Sequence, residues 1–151
     1  GSILNVEMAK EVIDLGAKFV VMPGFDAKVV EHCLKNDISV LPGCVTATEI
    51  MMALSYGINI CKFYPVYEMG GTATLAQFNN GPFGMIEWVV TGGLDSKNFL
   101  PLVAYKNTLA AGGDWMFNEN NALKNSDWDA MEENARRTVL DSLNARANAK
   151  K

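Results

Sequence analysis

The chain has 151 residues, enough for one domain with a real core. Hydrophobic residues make up 49% and charged residues 20%, the balance of an ordinary soluble globular protein. A formal net charge of −4, with only a mild basic tail (Arg136, Arg137, Arg146, Lys150, Lys151), offers nucleic acid no electrostatic footprint; nor is there an apolar run near the ~20 residues of a membrane span, or a signal-peptide core at the start.

One pattern repeats along the chain: a short apolar strand ends in Gly or Pro, and a helical segment follows. Residues 6–15 read as a helix ending at Gly16. The strand at 18–22 runs into Pro23-Gly24, and 26–35 has helical spacing with Val29, Val30, Cys33 and Leu34 on one side. The strand at 38–41 runs into Pro42-Gly43, and 48–55 reads as a helix capped by Thr46 or Thr48. A third strand at 59–63 is halted by Pro65 and followed by Gly70-Gly71 and a helix over 72–78. The strand at 87–90 runs into Thr91-Gly92-Gly93, with Asp95 or Ser96 capping a helix through Ala104. The strand at 108–111 runs into Gly112-Gly113, and a long closing helix over about 128–148 carries Met131, Ala135, Val139 and Leu143 as its stripe. Trp88 and Trp115 are expected to pack against helices.

Continuous apolar strands alternating with helices predict parallel strands covered on both faces. Five are visible, plus the stub of a sixth at residues 1–4, and no linker or composition shift divides them. An open doubly wound sheet would want a glycine-rich loop of the G-x-G-x-x-G kind after its first strand, and none is present. A functional residue or Gly/Pro turn at the C-terminal end of every strand is instead the layout of a barrel's active-site face. The expected fold is therefore α/β, one domain holding about five parallel strands of a (β/α)8 barrel.

Lys62, near the end of the third strand, carries the chemistry. Burying an ammonium is unfavourable, so desolvation lowers its pKa and leaves a free amine able to attack a carbonyl and form a Schiff base. The alternative is a snorkelling lysine, or an ion pair with Glu68 or Glu49. Tyr64 should share its side of the strand, either desolvating the amine or simply packing. Glu49 and Glu68 are candidate acid–base residues, although Glu49 also suits the first turn of a helix. Thr91-Gly92-Gly93 and Gly112-Gly113 offer backbone N–H groups to an anion at adjacent strand ends, and Thr91 can hydrogen-bond a carboxylate. Asp114, directly after the second glycine pair, would repel a bound phosphate. Cys33, Cys44 and Cys61 lie in apolar surroundings without zinc-site spacing and read as reduced core thiols of a cytoplasmic protein. The only histidine, His32, is expected at the surface, so no His-based triad or metal site is available.

Pro23-Gly24, Pro42-Gly43, Lys62-Phe63-Tyr64-Pro65, Gly70-Gly71, Gly81-Pro82-Phe83, Thr91-Gly92-Gly93-Leu94 and Gly112-Gly113-Asp114-Trp115 stand in a fixed order and spacing. In this the chain, from Gly1 to about Ala145, resembles the 2-keto-3-deoxy-6-phosphogluconate / 4-hydroxy-2-oxoglutarate aldolases. The resemblance implies a class I aldolase, a homotrimer without cofactor or metal, that cleaves a 2-keto-4-hydroxy acid to pyruvate and an aldehyde. It makes Lys62 the Schiff-base lysine. Ser2, Pro23, Tyr64 and Thr91 fall where the family lines its pyruvate pocket, and Gly92, Gly93, Gly113 and Asp114 where it holds phosphate.

Two departures follow from the same resemblance. Family chains begin with two β/α units and a third strand, carrying an acid–base glutamate and a carboxylate-binding arginine; this chain starts where that third strand ends, with Gly1-Ser2 for the family's Gly-Thr. The expectation is an aldolase lacking its N-terminal third and impaired for it. Asp114 replaces a small hydroxyl residue of phosphate-using relatives, which points to a non-phosphorylated aldehyde. The competing expectations are another sugar-phosphate-handling barrel enzyme, or a non-catalytic remnant acting as a folding or interaction unit.

Overall fold

A computed structural model of the chain describes residues 1–149; Lys150 and Lys151 of the basic tail lie outside them. Strands and helices alternate in the order α1 (Val6–Asp14), β1 (Phe19–Val21), α2 (Ala27–Lys35), β2 (Ser39–Leu41), α3 (Ala47–Ser55), β3 (Ile60–Phe63), α4 (Gly71–Asn80), β4 (Glu87–Thr91), α5 (Phe99–Val103), β5 (Thr108–Gly112), α6 (Trp115–Asn118) and α7 (Trp128–Ala149), with one 3₁₀ turn at Glu119–Asn121. All five strands and all six helices expected from the sequence are present; α6 and the 3₁₀ turn are additions. Among the described residues, no helix is long and apolar enough to cross a membrane. The chain folds as two compact units, one of Gly1–Tyr64 with Met85–Trp88, the other of Pro65–Gly84 with Val89–Lys151.

In the first unit each helix begins on a side-chain cap that satisfies an orphan N–H of its first turn. Asn5 accepts from Met8 N at 2.9 Å, Asp26 from Val29 N at 3.0 Å, and Thr46 and Glu49 close a capping box on α3. β1 and β2 pair in parallel with Phe19 opposite Ser39, Val20 opposite Val40 and Val21 opposite Leu41. Residues 1–4 form no strand, although Ile3 N donates to Val21 O at 3.1 Å. β3 joins through a parallel bridge between Gly43 and Lys62, and the start of β4 through Glu87 N to Asn59 O at 2.9 Å. Ile3, Ala9, Val20, Met22, Val29, Val30 and Cys33 form a core in this unit. Leu34, expected on that face of α2, is 41% exposed instead.

The second unit holds the rest of β4 and β5. Its buried residues include Val66, Leu75, Val90, Phe99, Leu102 and Trp115, with the Phe99 and Trp115 rings 5.2 Å apart. α5 is shorter than the sequence suggests. Asp95 does not cap it; its carboxylate accepts from Lys97 N and Asn98 N in a turn, and Asn98 takes the N-cap position. α7 keeps only the first half of its expected stripe: Met131 and Ala135 are half-buried, but Val139 and Leu143 are exposed, while Asn134 is buried and Thr138 and Ser142 are half-buried. Hydrogen bonds explain the choice. Trp115 Nε1 donates to Thr138 Oγ1 at 3.3 Å, and Arg146 donates to the carbonyls of Val103, Thr108 and Leu109 at 3.1, 3.0 and 2.7 Å.

The strands are also less covered than continuous apolar runs suggest. β3 alternates, with Cys61 and Phe63 buried and Ile60 38% exposed, and Phe19 of β1 is 63% exposed. One face of β1, β3 and β4 is therefore packed more completely than the other.

Candidate active site

Lys62 occupies β3 between two buried residues, Cys61 and Phe63, and so points to the opposite, half-buried face. The Phe63 ring packs 5.7 Å from that of Trp88, which anchors the strand that carries the lysine. Burial lowers the Lys62 amine from its ordinary pKa of 10.5. Its Nζ lies 4.8 Å from the centre of the Tyr64 ring, so the two side chains meet as expected, even though β3 itself ends at Phe63. Among the described residues Lys62 has no ion pair. Glu49, one of its candidate partners, accepts from Val45 N, Thr46 N and Thr46 Oγ1 at 2.8–2.9 Å and serves the α3 cap.

The backbone around Lys62 is as specific as its side chain. Lys62 N donates to Pro42 O at 2.8 Å, Cys44 N to Lys62 O at 2.9 Å, and Gly43 N to Gly24 O at 3.0 Å. The Pro23-Gly24 and Pro42-Gly43 turns thus lie backbone to backbone. A Cβ at Gly43 would overlap the Pro23 carbonyl, whereas one at Gly24 would meet nothing within 4 Å. Close backbone approach is the reason for glycine at 43, and the repeated Pro-Gly was its signal in the sequence. Pro23 lines a cavity of about 280 Å³ with Ile3, Leu4, Met22, Phe25 and Asp26, and Ser2 is exposed with φ +58°. Neither Ser2 nor Lys62 lines that cavity.

The three cysteines are free and buried. A side-chain contact with Cys61, then burial, pushes the Cys44 thiol up, and burial does the same for Cys33. They are packing residues, as expected of core thiols.

In the second unit Thr91 ends β4, and Gly92 and Gly93 follow with φ of +95° and +67°. Their left-handed backbone is the reason for glycine at both positions. The carbonyls of Thr91, Gly92 and Gly93 are tied back by Val66 N, Tyr67 N and Asn98 Nδ2 at 2.9, 3.3 and 2.9 Å. Thr91 Oγ1 is buried and has no hydrogen-bond partner among the described residues. Asn79 Nδ2 and Thr108 Oγ1 share this state, so Thr91 stands out only through its place at a strand end. A Cβ at Gly112 would lie 3.2 Å from Thr91 Cγ2, which shows the two strand ends side by side. Gly113 lies beneath the Trp115 ring, with no room for a side chain. Asp114 is exposed, and its Oδ2 accepts from Asn118 Nδ2 at 2.7 Å. α5 and α6, the helices that follow these turns, are only five and four residues long, so what the turns offer an anion is their own backbone.

The chain is an alternating α/β protein that carries a half-buried lysine on β3 and glycine turns at the ends of β4 and β5. The family described as "Aldolase: KDPG and KHG aldolase" matches residues 1–134, and the chain belongs to it. It is 42% identical over 77% of its length to 2-dehydro-3-deoxy-phosphogluconate aldolase of Treponema pallidum, of which it covers 55%. It is 32% identical over 92% of its length to the KHG/KDPG aldolase of Escherichia coli K12, of which it covers 64%. A KDPG aldolase from Legionella pneumophila, solved with pyruvate captured at low pH as a covalent carbinolamine intermediate, superposes with a TM-score of 0.82 at 29% identity, covering 89% of this chain and 64% of that one. The chain thus spans between 55% and 64% of the length of these relatives.

Proposed function

We propose that the chain is a class I aldolase that cleaves a 2-keto-3-deoxy or 2-keto-4-hydroxy acid to pyruvate and an aldehyde through a Schiff base on Lys62. The observation that carries the proposal is the lysine itself: strand-borne, half-buried, without an ion pair among the described residues, its amine pKa lowered by burial. The covalent carbinolamine named for the Legionella relative supports the same chemistry.

The neutral Lys62 amine attacks the C2 carbonyl, and the carbinolamine takes up a proton and loses water to give a protonated imine. A base takes the proton from the C4 hydroxyl, the C3–C4 bond breaks, the aldehyde departs, and the bonding pair moves into an enamine. Protonation at C3 and hydrolysis return pyruvate and the free amine. Desolvation serves the first step by keeping a larger share of the lysine neutral. In the same proposal Ser2, Pro23, Tyr64 and Thr91 contact the keto acid. Gly92, Gly93, Gly113 and Asp114 receive its distal end, with Asp114 disfavouring a phosphate. The five strands are taken as part of the family's (β/α)8 barrel, a single cytoplasmic domain that assembles as a homotrimer. Light scattering that returns a monodisperse monomer would count against the assembly.

The decisive test is sodium borohydride reduction in the presence of pyruvate. One reduced pyruvyl group should be found on Lys62 by peptide mass mapping. Labelling at another lysine, or labelling that persists in Lys62→Ala, overturns the assignment.

A further inference from the structure

The negative charge that lies against the Thr91-Gly92-Gly93 turn is that of Glu68. A Cβ at Gly93 would stand 2.7 Å from Glu68 Oε1 and 2.9 Å from Oε2, so both carboxylate oxygens rest on the glycine. The placement follows from the backbone: Val66 N and Tyr67 N donate to the carbonyls of Thr91 and Gly92, which straps residues 66 and 67 along the turn and delivers residue 68 to Gly93. Glu68 makes no hydrogen bond or ion pair among the described residues, and Asp114, which accepts from the neutral Asn118 amide, keeps its charge beyond the next strand end.

We propose that Glu68 sets the aldehyde half of the substrate: its carboxylate on the glycine turn excludes a phosphate there and accepts a hydrogen bond from a hydroxyl of a neutral, polyhydroxylated chain. The substrate class deepens the aldolase proposal above and rests on it; the anion exclusion does not. The glycines at 92 and 93 shape a turn suited to an anion, but a dianion placed there would meet a fixed like charge at contact distance. A neutral hydroxyl meets no such repulsion and gains an acceptor. Because Glu68 is exposed, the exclusion weakens as salt is added.

The test follows the Gly92 and Gly93 amides by ¹⁵N-resolved NMR while inorganic phosphate is titrated at low ionic strength into the wild-type chain, Glu68→Gln, Glu68→Ala and Asp114→Asn. Both Glu68 variants should bind phosphate at these amides about tenfold more tightly than wild type, with the gain shrinking as salt rises. Affinities equal within about twofold, no response in either Glu68 variant, or a larger gain in Asp114→Asn would overturn the role of Glu68. Borohydride trapping of pyruvate on the same samples reads Lys62 separately. Trapping without a phosphate gain sinks the Glu68 assignment alone. A phosphate gain without trapping sinks the aldolase reading and the substrate class, and leaves Glu68 as a residue that excludes anions.

Discussion

The two compact units end their strands in different ways. In the first, the strand ends at Pro23-Gly24, Pro42-Gly43 and Lys62 are laced together by backbone hydrogen bonds, and the Lys62 amine rises from a strand anchored by Phe63 and Trp88. In the second, Thr91 and Gly112 lead into glycine turns, with a buried hydroxyl left unpaired and a carboxylate resting on Gly93. The contrast separates two demands. Tuning an amine requires desolvation, hence close packing of backbone around one side chain. Choosing a substrate end requires backbone and charge that stay accessible. Substitutions in the first unit should therefore register in stability and amine chemistry, and those at the second unit's turns in ligand preference.

The largest effect is expected at Gly43. Gly43→Ala forces a methyl group into the Pro23 carbonyl and should cost about 2–4 kcal/mol of unfolding free energy in urea titrations. Gly24→Ala, with open space around the new methyl, should stay within about 0.5 kcal/mol. Equal effects at the two glycines would show that the backbone lacing is not what fixes the first unit.

Gly93→Ala comes next. Its Cβ would meet Tyr67 Cβ at 2.7 Å on a left-handed backbone, and a loss of about 1–3 kcal/mol is expected by the same measurement. Because the methyl also displaces Glu68, this variant should show a change in phosphate response that Gly43→Ala does not.

The pH dependence of Lys62 gives a smaller effect with a defined sign. Its folded-state pKa is lowered by burial from 10.5, so in the folded chain the charged amine is the disfavoured form. Below the folded value both states carry the proton and the penalty is complete; above the unfolded value both are neutral and it is gone. Stability contributed at this position should rise with pH between the two, and Lys62→Met should remove that rise in paired denaturation curves. The borohydride trapping rate should climb with pH to a midpoint below 10.5. A midpoint at or above that value would show an undisturbed surface lysine.

The smallest effect belongs to α7. Val139→Ser and Leu143→Ser should each change stability by no more than about 0.5 kcal/mol, because both side chains are largely exposed. Thr138→Val, which removes the acceptor for Trp115 Nε1, should cost about 1 kcal/mol despite its apolar gain. A larger loss at Leu143 than at Thr138 would restore the stripe that periodicity suggests.

The order of strands and helices was legible in the chain, because Gly and Pro punctuate it, and short apolar runs between them alternate with segments of helical spacing. Lys62 was legible for the same reason: a charged residue in an apolar strand is conspicuous, and so was its contact with Tyr64 two residues on. Thr46, one of the two caps the sequence offers for α3, is its N-cap, and the burial of the three cysteines followed from their apolar neighbours. Tertiary structure decided what depends on a partner distant in sequence. The face that α7 presents was chosen by Trp115, Val103 and Leu109, whose hydrogen bonds outweigh the apolar spacing of the helix. Asp95 lost its cap to Asn98, and Glu49 took the cap of α3 instead of the lysine. Glu68 reads in sequence as a candidate ion-pair partner of Lys62 or an acid–base residue, with nothing to place it on the Thr91-Gly92-Gly93 turn. Only the strapping of residues 66 and 67 along the end of β4 sets it on Gly93, since local propensity fixes what each segment forms and through-space contact fixes which groups meet.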